Sequence, residues 1–97
     1  MMNTEMIEKC EAAGMTRWTR YGKDRLYISA SILGLHCTYY KTGSISTATL
    51  NGEHISNSEG YRLKQASTYI DVETGELKGT YTPATKLARA LLDTIIG

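Results

Sequence analysis

Phenylalanine is absent from this chain of 97 residues, and proline occurs once. The rings are seven tyrosines and one tryptophan, which suit half-buried sheet faces and rims better than a deep aromatic core. A single proline argues against long linkers or disordered stretches, and the length fits one domain, residues 1–97. Cysteine is scarce too. Cys10 and Cys37 have no paired-ligand spacing, so free, reduced thiols are the default. No apolar run approaches the length of a membrane span, and no membrane partner is expected. Residues 1–14 are acidic and amphipathic, unlike a signal peptide with its basic start and apolar middle. The expected location is the cytoplasm.

A large charge of one sign is also missing. The formal net charge is +1, which argues against an acidic mimic of DNA and against a polycation that coats it. Charge is nevertheless unevenly placed. Residues 1–14 set three acidic side chains against Lys9, and residues 67–82 set three against Lys78. Residues 15–41 carry five cations and only Asp24 in opposition.

Motifs for catalysis and cofactors are sparse. There is no Walker-type run and no triple-glycine turn between a strand and a helix. Neighbours on a strand, His36 and Cys37 point to opposite faces, so they do not converge on a metal and His36 is no base for the thiol. His54 comes from another strand, and no third group orients it. Gly43-Ser44-Ile45-Ser46 lacks the strand-to-helix elbow that exposes a serine nucleophile. Asp71 and Glu73 share a face at period two, with Glu76 near, and read as a solvated strand end. No enzyme activity, metal or cofactor is expected.

What is present is a regular alternation of elements. A helix is predicted over residues 4–13, capped by Asn3 or Thr4 and ended by Gly14, with Met6, Ile7 and Cys10 on its apolar face. Thr16–Tyr21 and Arg25–Ser31 read as a hairpin around Gly22-Lys23-Asp24. Leu26, Ile28 and Ala30 should face the core and Arg25, Tyr27 and Ser29 should face out. Trp18 is expected to face inward, although Arg20 shares its side. Strands follow over 35–41 and 45–50, then the tight-turn signal Asn51-Gly52 and a short strand over 53–55. A short helix is predicted over 57–65, with Gly60 as its weak point. Thr68–Glu73 should put Ile70 and Val72 in, with Tyr69 and Asp71 out, and residues 77–81 return. A final helix begins with Thr82 as cap and Pro83 in its first position, with Leu87, Ala88, Leu91, Leu92 and Ile95 as its stripe. The expected class is α+β, an antiparallel β-sheet of about five to six strands flanked by N- and C-terminal α-helices.

The one stretch with binding chemistry is residues 17–27, which interleaves four cations with three rings. Arg17, Arg20, Lys23 and Arg25 suit phosphates or an acidic protein face, and Tyr21, Tyr27 and Tyr39 suit stacking or packing beside them. The plainer reading is a solvated sheet face with cationic stems lying over tyrosine rings. Tyr39, Tyr40 and Tyr69 form a second candidate surface. Arginine and tyrosine are favoured anchors at interfaces, whereas Lys23 suits steering.

Several spellings resemble small accessory proteins of phages and mobile elements in Gram-positive-type bacteria. They are Trp18 with Lys23-Asp24-Arg25-Leu26-Tyr27-Ile28, Lys41-Thr42-Gly43, Asn51-Gly52-Glu53, Ile55-Ser56-Asn57-Ser58, Tyr69-Ile70-Asp71 and Glu73-Thr74-Gly75. The resemblance implies a non-enzymatic module that binds host machinery, as anti-CRISPR proteins do, and it assigns no catalytic residue. Asp71 to Glu76 is also similar to the acidic turn that Kelch propeller domains recognise, though a hairpin turn needing glycine explains it. The leading expectation is inhibition or modulation of a host nucleic-acid-processing protein, with a nucleic-acid-bound effector complex as one form of that partner. The alternatives are direct nucleic-acid binding by the basic-aromatic hairpin and a small-ligand-binding domain or enzyme. An exposed sheet edge would also allow a homodimer.

Overall fold

Helical spacing, capping residues and alternating strands produce three helices and seven antiparallel strands in a computed structural model that describes residues 1–97. The chain begins with α1 (Thr4–Ala12), where Asn3 caps by accepting from the Met6 N–H at 2.9 Å. Ile7 and Cys10 are its buried side chains. Burial pushes the Cys10 thiol pKa up, as a small apolar filler requires. Gly14, at φ 104°, turns the chain out of the helix.

The strands divide between two sheets. β1 (Thr16–Arg20), β2 (Lys23–Tyr27), β6 (Thr68–Asp71) and β7 (Leu77–Gly79) form the first, in the order β1-β2-β6-β7. β3 (Leu35–Tyr39), β4 (Ile45–Leu50) and β5 (Glu53–Ile55) form the second as a meander. The α+β class with terminal helices holds, and the strands number seven in two sheets rather than about five to six in one. Alternation sets which face a residue occupies but not which strand it pairs with. β2 pairs with β6, distant in sequence, through Leu26 opposite Ile70 and Tyr27 opposite Tyr69. Backbone bonds from Ile28 N–H to Thr68 O (2.9 Å) and from Val72 N–H to Asp24 O (3.1 Å) extend that seam.

One face of the first sheet is covered by α1 and by α3 (Thr82–Ile96). Their contact buries Cys10, Leu26, Ile70, Ala84, Ala88 and Leu92 in one cluster, joined by Leu63 from α2 (Asn57–Gln65). The cap of α3 is not Thr82. Tyr81 occupies the N-cap position without a side-chain cap bond, and its hydroxyl instead donates to Glu59 at 2.7 and 2.8 Å. α2 is capped by Ser56, which accepts from Glu59 N–H at 3.0 Å, and it packs on the second sheet. There Gly60 has a positive role. A Cβ at this position would stand 2.8 Å from the Ala48 Cβ, so only glycine lets helix and strand approach so closely. Ile45 is buried beside it and gives its N–H to the Tyr61 hydroxyl at 2.8 Å. The molecule measures 42 × 29 × 22 Å, and Leu35, Leu50 and Ile55 of the second sheet pack against the core cluster of the first. No helix is long and apolar enough to cross a membrane.

Candidate binding face

The hairpin that carries the cations closes on two residues, Tyr21 and Gly22, not on Gly22-Lys23-Asp24. Both have positive φ (53° and 72°), which defines the two-residue turn whose twist suits paired strands. Arg20 is therefore opposite Lys23, Trp18 opposite Arg25 and Thr16 opposite Tyr27. The seam to β6 extends these rows, with Arg25 opposite Asp71 and Tyr27 opposite Tyr69. Tyr69 in turn faces Lys78 of β7. Opposed residues share a face, so Trp18, Arg20, Lys23, Arg25, Tyr27, Tyr69, Asp71 and Lys78 all lie on the side away from α1 and α3. Leu26 and Ile70 mark the covered side, being almost fully buried.

Two expected placements are corrected. Trp18 does not face inward. It shares the parity of Arg20 and is 63% exposed. The covered side at β1 has no helix above it, as all five β1 residues are exposed. Arg17 leaves the cationic face, because it is opposite the core residue Leu26. On that other side it grips Asp24, with Nη2 to Oδ2 at 2.6 Å and Nε to both carboxylate oxygens at 3.1 Å. This hydrogen bonding holds the Asp24 carboxyl below its usual pKa and leaves Arg17 largely neutralised.

The remaining residues of the first set come together. The Arg25 guanidinium lies over the Tyr69 ring, 4.2 Å from its centroid, and Nη1 donates to the Tyr27 hydroxyl at 3.2 Å. Tyr27 and Tyr69 pack against each other with centroids 5.5 Å apart, tilted by 45°. The rings thus fix a guanidinium flat on the sheet, as cation–π geometry favours. Arg25 Nε is a buried side-chain donor with no partner. Arg20 lies over the Tyr21 ring at 5.2 Å, and Tyr21 itself is 81% exposed at the hairpin tip. Lys23 adds a further cation, whereas Lys78 Nζ is paired with Glu76 Oε2 at 4.0 Å.

Asp71 and Glu76 are the carboxylates of this face, and Asp71 is buried rather than solvated. β6 lies between β2 and β7, and the turn after it folds back. Asp71 Oδ1 accepts from Glu73 N–H at 3.0 Å and from Thr74 N–H at 3.2 Å. The bond from Thr74 is the first cause that lowers its pKa, with burial opposing. Gly75 at φ 77° completes a structural turn, so the Asp71 carboxylate is committed to backbone N–H groups.

The second candidate surface does not assemble. Tyr69 belongs to the first face, whereas Tyr39 and Tyr40 lie on and just after β3 in the other sheet. Lys64 Nζ stands over the Tyr39 ring at 4.5 Å. The register also fixes the imidazoles and the thiol. His36, Thr49 and His54 share one face, and Cys37, Ala48 and Ile55 share the opposite face beneath α2. No imidazole reaches Cys37 from its own side, and no three metal-ligating side chains gather anywhere. Lys78 is not among the binding candidates of the sequence, although Leu77 in and Lys78 out is a legible alternation. For Trp18, the shared parity with Arg20 was the available signal.

No protein-family model, curated protein or solved structure matches the chain.

Proposed function

We propose that the protein is a non-enzymatic binding module that docks through the open face of the four-stranded sheet. Its partner would be a host nucleic-acid-processing protein, met at an acidic patch or together with the nucleic acid it holds. Inhibition or modulation of that partner, as anti-CRISPR proteins achieve it, is the activity proposed. The phage or mobile-element setting rests on the resemblance of residues 18–76. The observation that supports the binding role is the Arg25 guanidinium, held by Tyr69 and Tyr27 and making no ion pair, on one face with Arg20 and Lys23. Such a guanidinium loses little side-chain entropy on binding.

Protein contact is favoured over base stacking by one detail. Arg25 already covers a face of Tyr69, and both Tyr27 and Tyr69 are half-buried. Capture from host lysate, with and without nuclease, tests the reading. A partner retained after nuclease, and lost with the Arg20→Ala/Arg25→Ala variant but not with Arg17→Ala, is the expected result. A partner that tolerates the double substitution overturns it.

Direct nucleic-acid binding is the second reading, favoured by the exposed rings of Trp18 and Tyr21 beside Arg20 and Lys23. About three phosphate contacts to a single strand would weaken binding about twentyfold between 50 and 200 mM salt. A gel-shift assay with no retention of DNA or RNA at low salt removes this option.

A further inference from the structure

We propose that β1 pairs with β1 of a second copy, joining two four-stranded sheets across a two-fold axis at Trp18. β1 is an outer strand of its sheet. Its five residues are all exposed, with no proline, bulge or helix to protect them. Charge is the usual protection of such an edge, but Arg17 is paired with Asp24 and Arg20 lies over the Tyr21 ring at the hairpin tip.

The backbone sets which groups are free. In a two-residue hairpin the residues flanking the turn form a hydrogen-bonded pair. Arg20 with Lys23 and Trp18 with Arg25 therefore bond across the hairpin. Arg17 and Thr19 then turn their N–H and C=O groups to the open edge. Neither N–H appears among the backbone bonds made outside the regular elements.

Neighbouring bonds select the register. Arg17 opposite Arg17 would set Met15 against Thr19, but the Met15 N–H is already given to Cys10 O at 3.2 Å. Thr19 opposite Thr19 would extend the ladder into Tyr21, which is in the turn at φ 53°. Arg17 opposite Thr19 avoids both conflicts, and each such pair exchanges both of its N–H···O bonds. Trp18 then meets Trp18 of the second copy at the non-hydrogen-bonded position, where side chains approach most closely. The pairing covers a tryptophan that is 63% exposed in the single chain. It also places the two cationic faces side by side. That consequence alone rests on the function proposed above, and the dimer stands on the strand geometry.

Sedimentation over a concentration series, without partner or nucleic acid, should give a reversible monomer–dimer equilibrium. Thr19→Pro is the discriminating variant. The Thr19 N–H faces away from β2, so proline leaves the hairpin ladder intact, as on other edge strands, but deletes one intermolecular bond from each copy. Each lost bond is worth roughly fivefold, so dissociation should rise about thirtyfold. Trp18→Cys in a Cys37→Ser background should form a disulfide-linked dimer on mild oxidation, whereas Thr19→Cys should not. If Thr19→Pro fails to fold by circular dichroism, the cysteine pair decides. A chain monomeric at every concentration overturns the proposal. So does a dimer that a folded Thr19→Pro leaves unchanged, or equal crosslinking, or none, at positions 18 and 19. A chain that is monomeric alone but accepts an extended peptide at β1 likewise overturns it.

Discussion

The two sheets have the same plan, antiparallel with one face covered by helix, yet their open faces differ in chemistry. In the four-stranded sheet the outward positions carry Trp18, Arg20, Lys23, Arg25, Tyr27, Tyr69 and Lys78. In the three-stranded sheet they carry His36, Thr38, Thr47, Thr49 and His54. The short hydroxyls satisfy one another. Thr38 Oγ1 bonds Ser46 Oγ at 2.7 Å and also bonds Thr47 Oγ1. Arg20 and Arg25 are held over rings, and neither they nor Lys23 make an ion pair. A polar face whose groups pair one another has less to offer a partner than one that holds guanidinium groups in place without a carboxylate.

The comparison breaks most severely if the first sheet loses its backing. Leu26 is fully buried under that sheet, and Leu26→Ala should cost about 3 kcal/mol, read as a lower urea midpoint. The second sheet has its own weak point. Gly60→Val drives a side chain into Ala48 and should cost about 2 kcal/mol. Loss of amide protection should concentrate in β3 to β5 and α2, and equal loss across both sheets would show that they open as one unit.

Binding sharpens the contrast. Arg20→Ala with Arg25→Ala should weaken partner affinity by about tenfold or more. Thr47→Ala with Thr49→Ala should leave it within about twofold, measured by titration calorimetry. A smaller gain is expected at the hairpin tip. Tyrosine at positive φ is unfavourable, so Tyr21→Asn should stabilise by about 1 kcal/mol in thermal melts. The subtlest effect is acid sensitivity. The folded-state pKa of Asp71 is depressed, chiefly by the Thr74 N–H. Its contribution is present above the ordinary carboxylate range, near 3.9, and is lost as pH falls through the lower folded value. Asp71→Asn should flatten that part of the acid-unfolding curve, and an unchanged slope would remove Asp71 from the account.

The two tight hairpins show where legibility stops. Asn51-Gly52 announces its turn, because asparagine and glycine both tolerate positive φ, and the strands on either side fall at 45–50 and 53–55 as the sequence predicts. Tyr21-Gly22 makes the same kind of turn with a residue that rarely adopts it, so the loop is easily misplaced by a residue or two. Trp18 was misassigned because a large ring is expected inside. A strand at the edge, beyond the reach of α1 and α3, offers no inside to enter. Asp71 reads as a strand-end carboxylate, and only the returning turn supplies the N–H groups that let it be buried.

Local chemistry in the chain determined the elements themselves: a cap at Asn3 or Thr4, the apolar stripes of α1 and α3, and the inward alternation of Leu26, Ile28 and Ile70. These depend on neighbours a few residues away, so spacing alone reveals them. The tertiary structure decided the division into two sheets, the place of Gly60 against Ala48, the departure of Arg17 to the covered side and the gathering of Arg25, Tyr27 and Tyr69. Each of those depends on which strand lies beside which, and that choice is made by long-range pairing of β2 with β6, some forty residues apart. The energy that selects it comes from closing one apolar cluster between α1, α3 and the sheet, a property of no single segment.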